Sequence, residues 1–324
     1  MAYITFQPHD YFNTLLYTDN GANRTLTGVG FQPDWVWIKT RNHGNSHNIF
    51  DAVRGANKVI RSNSTAADVT TTDTLTAFTS DGFSLGVDAS GYGVNYDNKN
   101  EVAWNWRAGN SSGSSNSDGS LASTVSANTT AGFSIVKYGN TTGTQTVGHG
   151  LGSDLKVLII KNLTSSTNWH VWHTGIPTSA IHLNETSGKT DSWFVNYQNS
   201  TAPTSSVFTV KSGNGDDVLG SSKDYIAYCF AEKKGFSKFG SYSGNGNVNG
   251  PFIYTGFKPQ FVLWKRTDSS NGWIIMDTKR SPFNAVDDLV EPQGSGAEAT
   301  DSSYRVDYLS NGFKIRNTNN VFNN

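Results

Sequence analysis

This 324-residue chain has little of what disulfide-bonded, membrane-spanning or nucleic-acid-binding proteins depend on. It has one cysteine, Cys229, so no internal disulfide can form. Charged residues make up only 16% and leave a net charge of -1, which gives no electrostatic footprint for nucleic acid or an anionic membrane. No run approaches the roughly 20 apolar residues that span a bilayer, and the start lacks a signal-peptide pattern. We therefore expect a soluble protein with no nucleic-acid partner and no membrane insertion.

Aromatic residues and turn formers are abundant instead. The chain contains 33 Gly, 9 Trp, 13 Tyr and 18 Phe, a composition typical of many short strands joined by tight turns. No segment has a sustained helical period. The composition therefore predicts an all-β protein built from tandem antiparallel β-sandwich modules of the jelly-roll or lectin type.

One segment is repeated three times. GFQPDWVWIK at residues 30–39 recurs as GFKPQFVLWK at 256–265 and more loosely at 150–161. The same interval after Lys39, Lys161 and Lys265 leads to Asp51, His173 and Asp277. The first two copies then end on similar alternating strands, VAWNW at 102–106 and IAYCF at 226–230, and the third copy has no counterpart. Agreement at this many offsets indicates an array of one module.

The repeat divides the chain into three modules. Module 1 spans residues 1–108, module 2 spans 131–234, and module 3 spans 235–324 without a closing strand. Residues 109–130 are rich in Gly, Ser and Asn and read as a flexible linker. We therefore expect modules 2 and 3 to pack together, with module 1 hinged on the linker.

The repeated segment is apolar on both faces of a strand. Trp35 and Trp37 share one face, and Val36 and Ile38 share the other. Such a strand lies in the middle of a sandwich or against a neighbouring module. We expect all four side chains to be mostly buried.

Carbohydrate binding is one function that the aromatic residues suggest, because flat rings stack on sugars. Trp169 and Trp273 occupy the same offset in modules 2 and 3, where module 1 has His47. This position resembles a turn or rim, so the three residues are the candidate carbohydrate-binding site. Core packing is the competing and more common role of such rings.

Catalytic and metal-binding patterns are missing from the sequence. A strand directs His170 and His173 to opposite faces, which does not suit zinc. The pairs Asp51-x-x-Arg54 and Asp277-x-x-Arg280 recur between copies, as expected for structural ion pairs that brace a turn. We therefore predict no enzyme activity, no cofactor and no metal.

The N-terminal residues resemble a closing strand that has no module before it. Tyr3 precedes Tyr17 by the same interval that separates Tyr228 from Tyr242. We therefore predict that this strand completes the open edge of module 3, within one chain or in another subunit. The assembly-strand candidates are Ala2, Tyr3, Ile4, Thr5 and Phe6.

Three segments together resemble a known family. Residues 6–13, residues 30–39 with 50–56, and residues 227–246 are similar to the repeated β-rich virion proteins of marine tailed bacteriophages. This resemblance implies a non-enzymatic tail, fibre or capsid-surface component located in the virion. Its implied partners are other virion proteins, further copies of itself and a host-surface glycan. A carbohydrate-binding, lectin-like module array is the alternative, with a glycan-degrading enzyme well behind it.

Overall fold

The computed structural model describes residues 6–96, 98–213, 215 and 217–324. Regular structure in these residues is almost entirely β, and the ladders between strands are antiparallel. One α-helix, α1, spans Asp191–Gln198, and two short 3-10 helices span Pro8–Asp10 and Ser302–Tyr304. The prediction of an all-β fold of antiparallel β-sandwich modules is confirmed.

Module 1 consists of two packed sheets. Its strands β1–β9 are Phe12–Thr18, Arg24–Leu26, Trp35–Thr40, Asn48–Asp51, Lys58–Arg61, Val69–Thr70, Leu75–Thr79, Gly82–Leu85 and Asn100–Trp106. The larger sheet has the order β1-β9-β3-β4-β5-β6, and the smaller has the order β2-β8-β7. The closing strand β9 therefore lies between the first strand and the repeated strand β3.

Module 2 repeats this arrangement. Its strands β10–β18 are Ser114–Asn116, Ser123–Asn128, Phe133–Gly139, Thr144–Gly148, Leu155–Asn162, His170–His173, Ile181–His182, Val207–Lys211 and Asp224–Ala231. The larger sheet has the order β10-β11-β12-β18-β14-β15-β16, and β13 pairs with β17 in the second layer. Here too the closing strand, β18, lies between an opening strand and the repeated strand β14.

In the described residues, module 3 has fewer strands, and they form smaller sheets. Its strands β19–β25 are Phe252–Tyr254, Phe261–Lys265, Trp273–Asp277, Asp288–Leu289, Ala299–Thr300, Val306–Leu309 and Gly312–Ile315. The sheets have the orders β19-β25-β24, β20-β21 and β22-β23. In the described part of the chain, β20 pairs with β21 only, so one edge of the repeated strand has no partner strand.

The three modules repeat in detail. Lys39, Lys161 and Lys265 lie in the repeated strands β3, β14 and β20, as the repeat predicted. One edge-on contact between a Tyr and a Phe recurs with ring centroids 5.7 to 6.4 Å apart; the pairs are Tyr17–Phe83, Tyr138–Phe208 and Tyr242–Phe313. Residues 237–243 of module 3 are therefore the counterpart of β1 and β12.

Residues 109–130 are not a flexible linker. They contain β10 and β11, which extend the large sheet of module 2. Asp34 of module 1 anchors their start, because its carboxylate accepts the backbone N–H groups of Ala108 at 2.7 Å and Asn110 at 2.8 Å. The polar composition reflects an exposed sheet edge. Strands pair through backbone hydrogen bonds, which Ser and Asn form as readily as apolar residues do.

A single apolar cluster joins all three modules at the centre of the molecule. Trp35, Trp37 and Trp104 of module 1 pack in it with Ile159 and other residues of module 2 and with Trp273 and Ile275 of module 3. Val36 and Ile38 face the other way, into the separate core of module 1. The four side chains of residues 35–38 are at most 2% exposed, which confirms their predicted burial. The expected hinge at module 1 is wrong, because its large sheet is part of this shared core.

Replacing Trp35 by Ala tests the contribution of the shared core. The indole touches Phe133 and Tyr228 of module 2, with ring centroids 5.6 and 4.7 Å away. Trp35→Ala is expected to lower the free energy of unfolding by about 3 to 5 kcal/mol, as truncations of large buried aromatic residues do. Urea unfolding measures the change. Tyr254→Ala removes a ring that is 65% exposed and should leave the stability nearly unchanged; equal losses in both variants would contradict this account.

Candidate functional site

Two buried ion pairs occupy equivalent turns in modules 1 and 3. Arg54 Nε lies 2.5 Å from Asp51 Oδ2, and Arg280 Nε lies 2.5 Å from Asp277 Oδ2. These four side chains are at most 1% exposed. Each Asp also accepts the backbone N–H of its Arg, which closes the turn. The predicted role in bracing a turn is confirmed, and both pairs are buried instead of exposed.

The same carboxylates receive hydrogen bonds from closing strands of other modules. The hydroxyl of Tyr228 in module 2 donates to Asp51 of module 1 at 2.7 Å. The indole N–H of Trp104 in module 1 donates to Asp277 of module 3 at 3.1 Å. Module 2 thus bonds to module 1, and module 1 to module 3. His173 of module 2 is the counterpart of the two aspartates in the repeat.

The repeated lysines also contact neighbouring modules, from module 2 to module 1, from module 1 to module 3 and from module 3 to module 2. Lys161 Nζ donates to the carbonyl of Thr65 in module 1 at 2.9 Å, and Lys265 Nζ to that of Thr186 in module 2 at 3.0 Å. Lys39 Nζ lies 3.5 Å from the carbonyl oxygen of Ser295 in module 3. Burial lowers the pKa of each lysine to about 8. The three modules are therefore arranged cyclically around the shared core.

A cavity of about 680 Å³ lies beside β20. Its walls include residues 235–244, residues 257–268 around β20, and Trp37 of module 1. Val157, Ile159 and His173 of module 2 line it as well. The size is within the usual range of ligand sites, and the walls are rich in aromatic and aliphatic side chains. This cavity is the candidate functional site.

His173 presents a polar group to the cavity. Its Nδ1 accepts the backbone N–H of Gly175 at 2.8 Å, which assigns the remaining proton of the neutral ring to Nε2. Burial lowers the pKa of His173 to about 4, so the ring is neutral near pH 7. The cavity therefore contains a neutral N–H donor among mainly apolar walls.

The three candidate sugar-stacking residues do not lie on a rim. His47 and Trp169 are fully buried in the interior, and Trp273 is 5% exposed and lines the cavity. Trp169 donates its indole N–H to the carbonyl of Arg61 in module 1 at 3.0 Å, and Trp273 to that of His182 in module 2 at 2.9 Å. Their shared offset marks contacts between modules. Sequence reasoning placed them at a turn because it could not show that another module covers it.

Two other histidines of module 2 are engaged in packing. His170 shares a hydrogen bond of 3.0 Å with Gln198, and His182 stacks on Trp193 with ring centroids 3.7 Å apart. Among the residues that the structure describes, no group of three or more His, Cys, Asp or Glu side chains is suited to hold a metal ion.

Phe6 is the one assembly-strand candidate within the described residues. Its ring lies 5.0 Å from that of Tyr11 and 5.4 Å from that of Phe236 in module 3. Ala2, Tyr3, Ile4 and Thr5 lie outside the described part of the chain.

An exposed aromatic pair in module 3 was missed by the sequence reasoning. Phe252 and Tyr254 are alternate residues of β19 and are 43% and 65% exposed. Pairing of β19 with β25 places Ile253 opposite Phe313, just as Leu26 lies opposite Phe83 in module 1. The positions of the pair are therefore held by Thr25 and Thr27 in module 1 and by Thr146 and Gly148 in module 2. The alternation of Phe252, Ile253 and Tyr254 along the strand was the sequence signal from which this exposed pair could have been predicted.

Two buried carboxyl groups lie together at one end of module 1. Burial raises the pKa of Asp19 to about 7, and burial followed by the neighbouring Asp19 raises that of Glu101 well above its usual value. Their four carboxyl oxygens are buried, and an ionised Asp19 disfavours ionisation of Glu101. Folding therefore favours the protonated form of this pair.

The carboxyl pair predicts a specific dependence of stability on pH. Because burial raises the folded-state pKa of Asp19, this group contributes most to the free energy of unfolding when the pH is below its unfolded pKa near 4. That contribution is lost as the pH rises to about 7. Asp19→Asn should remove this loss, so the variant should gain stability relative to the native chain between pH 4.5 and pH 7.5. Urea unfolding at both pH values measures the difference. Asp81→Asn is the control. The backbone N–H groups of Gly28 and Gly30 lower the pKa of Asp81, so the difference in unfolding free energy between this variant and the native chain should be the same at both pH values. A constant difference for Asp19→Asn would contradict the prediction.

Comparison with known proteins identifies a family but no activity. Within the described residues, no helix is long and apolar enough to cross a membrane. No curated protein and no solved structure gives a significant match. A family model described as "Domain of unknown function (DUF7483)" matches residues 7–324, which is nearly the whole chain. The chain therefore belongs to the DUF7483 family.

Proposed function

We propose that this chain is a non-enzymatic structural protein of a bacteriophage virion, a tail, fibre or capsid-surface component. The observation that carries this proposal is the shared core, which holds residues of all three modules in one apolar cluster of a single body. Such a body suits assembly with other virion proteins and with copies of itself. It also presents loops and sheet edges outward, where they can contact a host surface.

The placement of the charged groups supports a structural role. Asp51, Arg54, Asp277 and Arg280 are conspicuous in the sequence, and all four are buried in pairs that join modules. Removing one partner of a buried pair is strongly destabilising, so such pairs fix one arrangement of the modules. Residues 30–39, which carry part of the resemblance to virion proteins, include β3 at the centre of this arrangement.

The composition of purified phage particles tests the proposal. Particles purified on a density gradient should contain the protein at a fixed number of copies, measured by quantitative mass spectrometry of its peptides. Labelled antibodies should bind the particles at one location in electron micrographs. A protein that is abundant in the infected-cell lysate and missing from the particles would contradict a virion role.

A second candidate function, carbohydrate binding, is favoured by the aromatic pair on β19. Phe252 and Tyr254 are alternate residues of one strand with exposed rings, and exposed rings of this kind stack on sugar faces. This surface replaces the buried residues His47, Trp169 and Trp273 as the place where a glycan would bind.

Substitution of the pair by the residues of module 1 tests this surface. Phe252→Thr and Tyr254→Thr copy Thr25 and Thr27, so the backbone pairing is preserved. Glycan-array binding of the native protein is expected, with a loss of about tenfold in affinity for each variant at an unchanged melting temperature. Thr25→Ala is the matched control on module 1 and should bind normally. No glycan binding by the native protein, or equal binding by the variants, would exclude this function.

A further inference from the structure

The outer face of the sheet β19-β25-β24 carries two aromatic rings and a lysine. Ile253 and Phe313 of this sheet belong to the core of module 3, so the residues that alternate with them point outward. On the outward face, Phe252 lies opposite Lys314 across the pair of strands. Tyr254 follows two residues further along β19. We call Phe252, Tyr254 and Lys314 the outer triad.

Modules 1 and 2 have small residues at the positions of the outer triad. A sheet of this kind therefore folds without large side chains on its outward face. The three larger side chains are additions of module 3, which points to a function of this face apart from folding. Their counterparts, read from the strand pairing, are Thr25, Thr27 and Ser84 in module 1 and Thr146, Gly148 and Thr209 in module 2.

The backbone of a glycine supports each aromatic ring. A Cβ atom placed on Gly312 would lie 2.9 Å from Cζ of Phe252, so this ring lies against the backbone of β25. A Cβ atom placed on Gly256 would lie 3.5 Å from Oη of Tyr254, so the second ring lies against the turn that follows β19. Both rings are nevertheless exposed to solvent. Rings held in this way lose little conformational freedom when a ligand stacks on them.

Lys314 carries a positive charge that no carboxylate balances within the described residues. Its Nζ donates to the carbonyl of Gly250 at 2.7 Å. Asp307 lies opposite Lys314 in the register but pairs with Arg316, whose Nε lies 2.5 Å from Asp307 Oδ2. An ammonium group has three N–H donors, so two of those on Lys314 remain available to a ligand.

The ammonium group lies at one end of the aromatic pair. Gly250, Phe252 and Tyr254 alternate along the chain, and alternate residues of an extended chain lie about 7 Å apart. The carbonyl of Gly250 therefore holds the Lys314 charge beside Phe252 and away from Tyr254. Aromatic rings with a cation at one end match a sugar that bears an acid group, because the rings stack on its C–H faces and the cation binds the acid.

The size of the face favours a saccharide over a protein partner. The two partly exposed rings supply roughly 200 Å² of apolar surface, since one aromatic side chain buries about 150–250 Å² when fully covered. A stable protein interface buries about 800 Å² on each partner. One or two sugar units need only the area that the outer triad provides.

We propose that the outer triad binds an acidic saccharide, with a sugar ring on Phe252 and Tyr254 and its carboxylate or sulfate group on Lys314. Such binding rests on the carbohydrate-binding function proposed above, and the lysine adds the chemical class of the glycan. A lysine ammonium is a point charge without the planar fork of arginine, so it accepts a carboxylate and a sulfate alike.

Calorimetric titration with matched oligosaccharides tests the preference for an acid group. The probes are an oligogalacturonate, a sulfated oligogalactan and a neutral oligogalactan of equal length. The native protein should bind at least one acidic probe about tenfold more tightly than the neutral one, as one charge-assisted contact would produce. Raising the salt concentration from roughly 50 mM to 500 mM should weaken binding of the acidic probe only.

Variants of Lys314 assign the preference to the outer triad. Lys314→Ser copies Ser84 of module 1 and should weaken binding of the acidic probe by about tenfold, at an unchanged melting temperature. Lys314→Arg keeps the charge and should retain most of the affinity. Lys234→Ser removes an exposed lysine outside the sheet and should bind as the native chain does.

The outcomes separate this proposal from the function on which it rests. Equal binding of acidic and neutral probes, or equal affinity of Lys314→Ser and the native chain for the acidic probe, would overturn the acidic preference and leave carbohydrate binding standing. A native protein that binds neither these probes nor any glycan of the array would overturn both. Preference for the sulfated probe or for the oligogalacturonate would identify which acid group Lys314 binds.

Discussion

The packing of three sheets against one another at the centre of the molecule is the interaction on which the rest of the structure depends. Each repeated strand is apolar on both faces because one face packs in its own module and the other packs in the shared core. Trp35 and Trp37 belong to the shared core, whereas Val36 and Ile38 belong to that of module 1. Burial of large aromatic side chains is the dominant favourable term in folding, so no module is independent of its neighbours.

Directional polar contacts determine how these apolar faces meet. Apolar packing by itself tolerates sliding and rotation, but a carboxylate without its donors is costly inside a protein. The bonds from Tyr228 to Asp51 and from Trp104 to Asp277 are satisfied in one relative placement of the modules. Lys39, Lys161 and Lys265 add contacts that run in the same cyclic direction. We infer that these groups supply the specificity of the arrangement, and that the aromatic residues supply its stability.

The differences between the modules are as informative as their similarity. Within the described residues, β20 of module 3 pairs on one side only, whereas β3 and β14 pair on both, and Phe252 and Tyr254 stand where modules 1 and 2 have Thr or Gly. Module 2 has His173 where the others have Asp. Repetition explains the fold, and these departures from it distinguish one module from another.

The sequence by itself determined the all-β class, the three modules, the equivalence of Lys39, Lys161 and Lys265, and the burial of residues 35–38. These features follow from local alternation and from internal repetition, which a single chain displays without any partner. Only the tertiary structure decided that Trp169 and His47 are interior, that residues 109–130 extend a sheet, and that a cavity beside β20 is lined by His173. Each of these depends on which surface of another module covers a given face. A pattern of side chains shows that a face is apolar, but the element that buries it is distant in sequence and is chosen by packing of the whole chain.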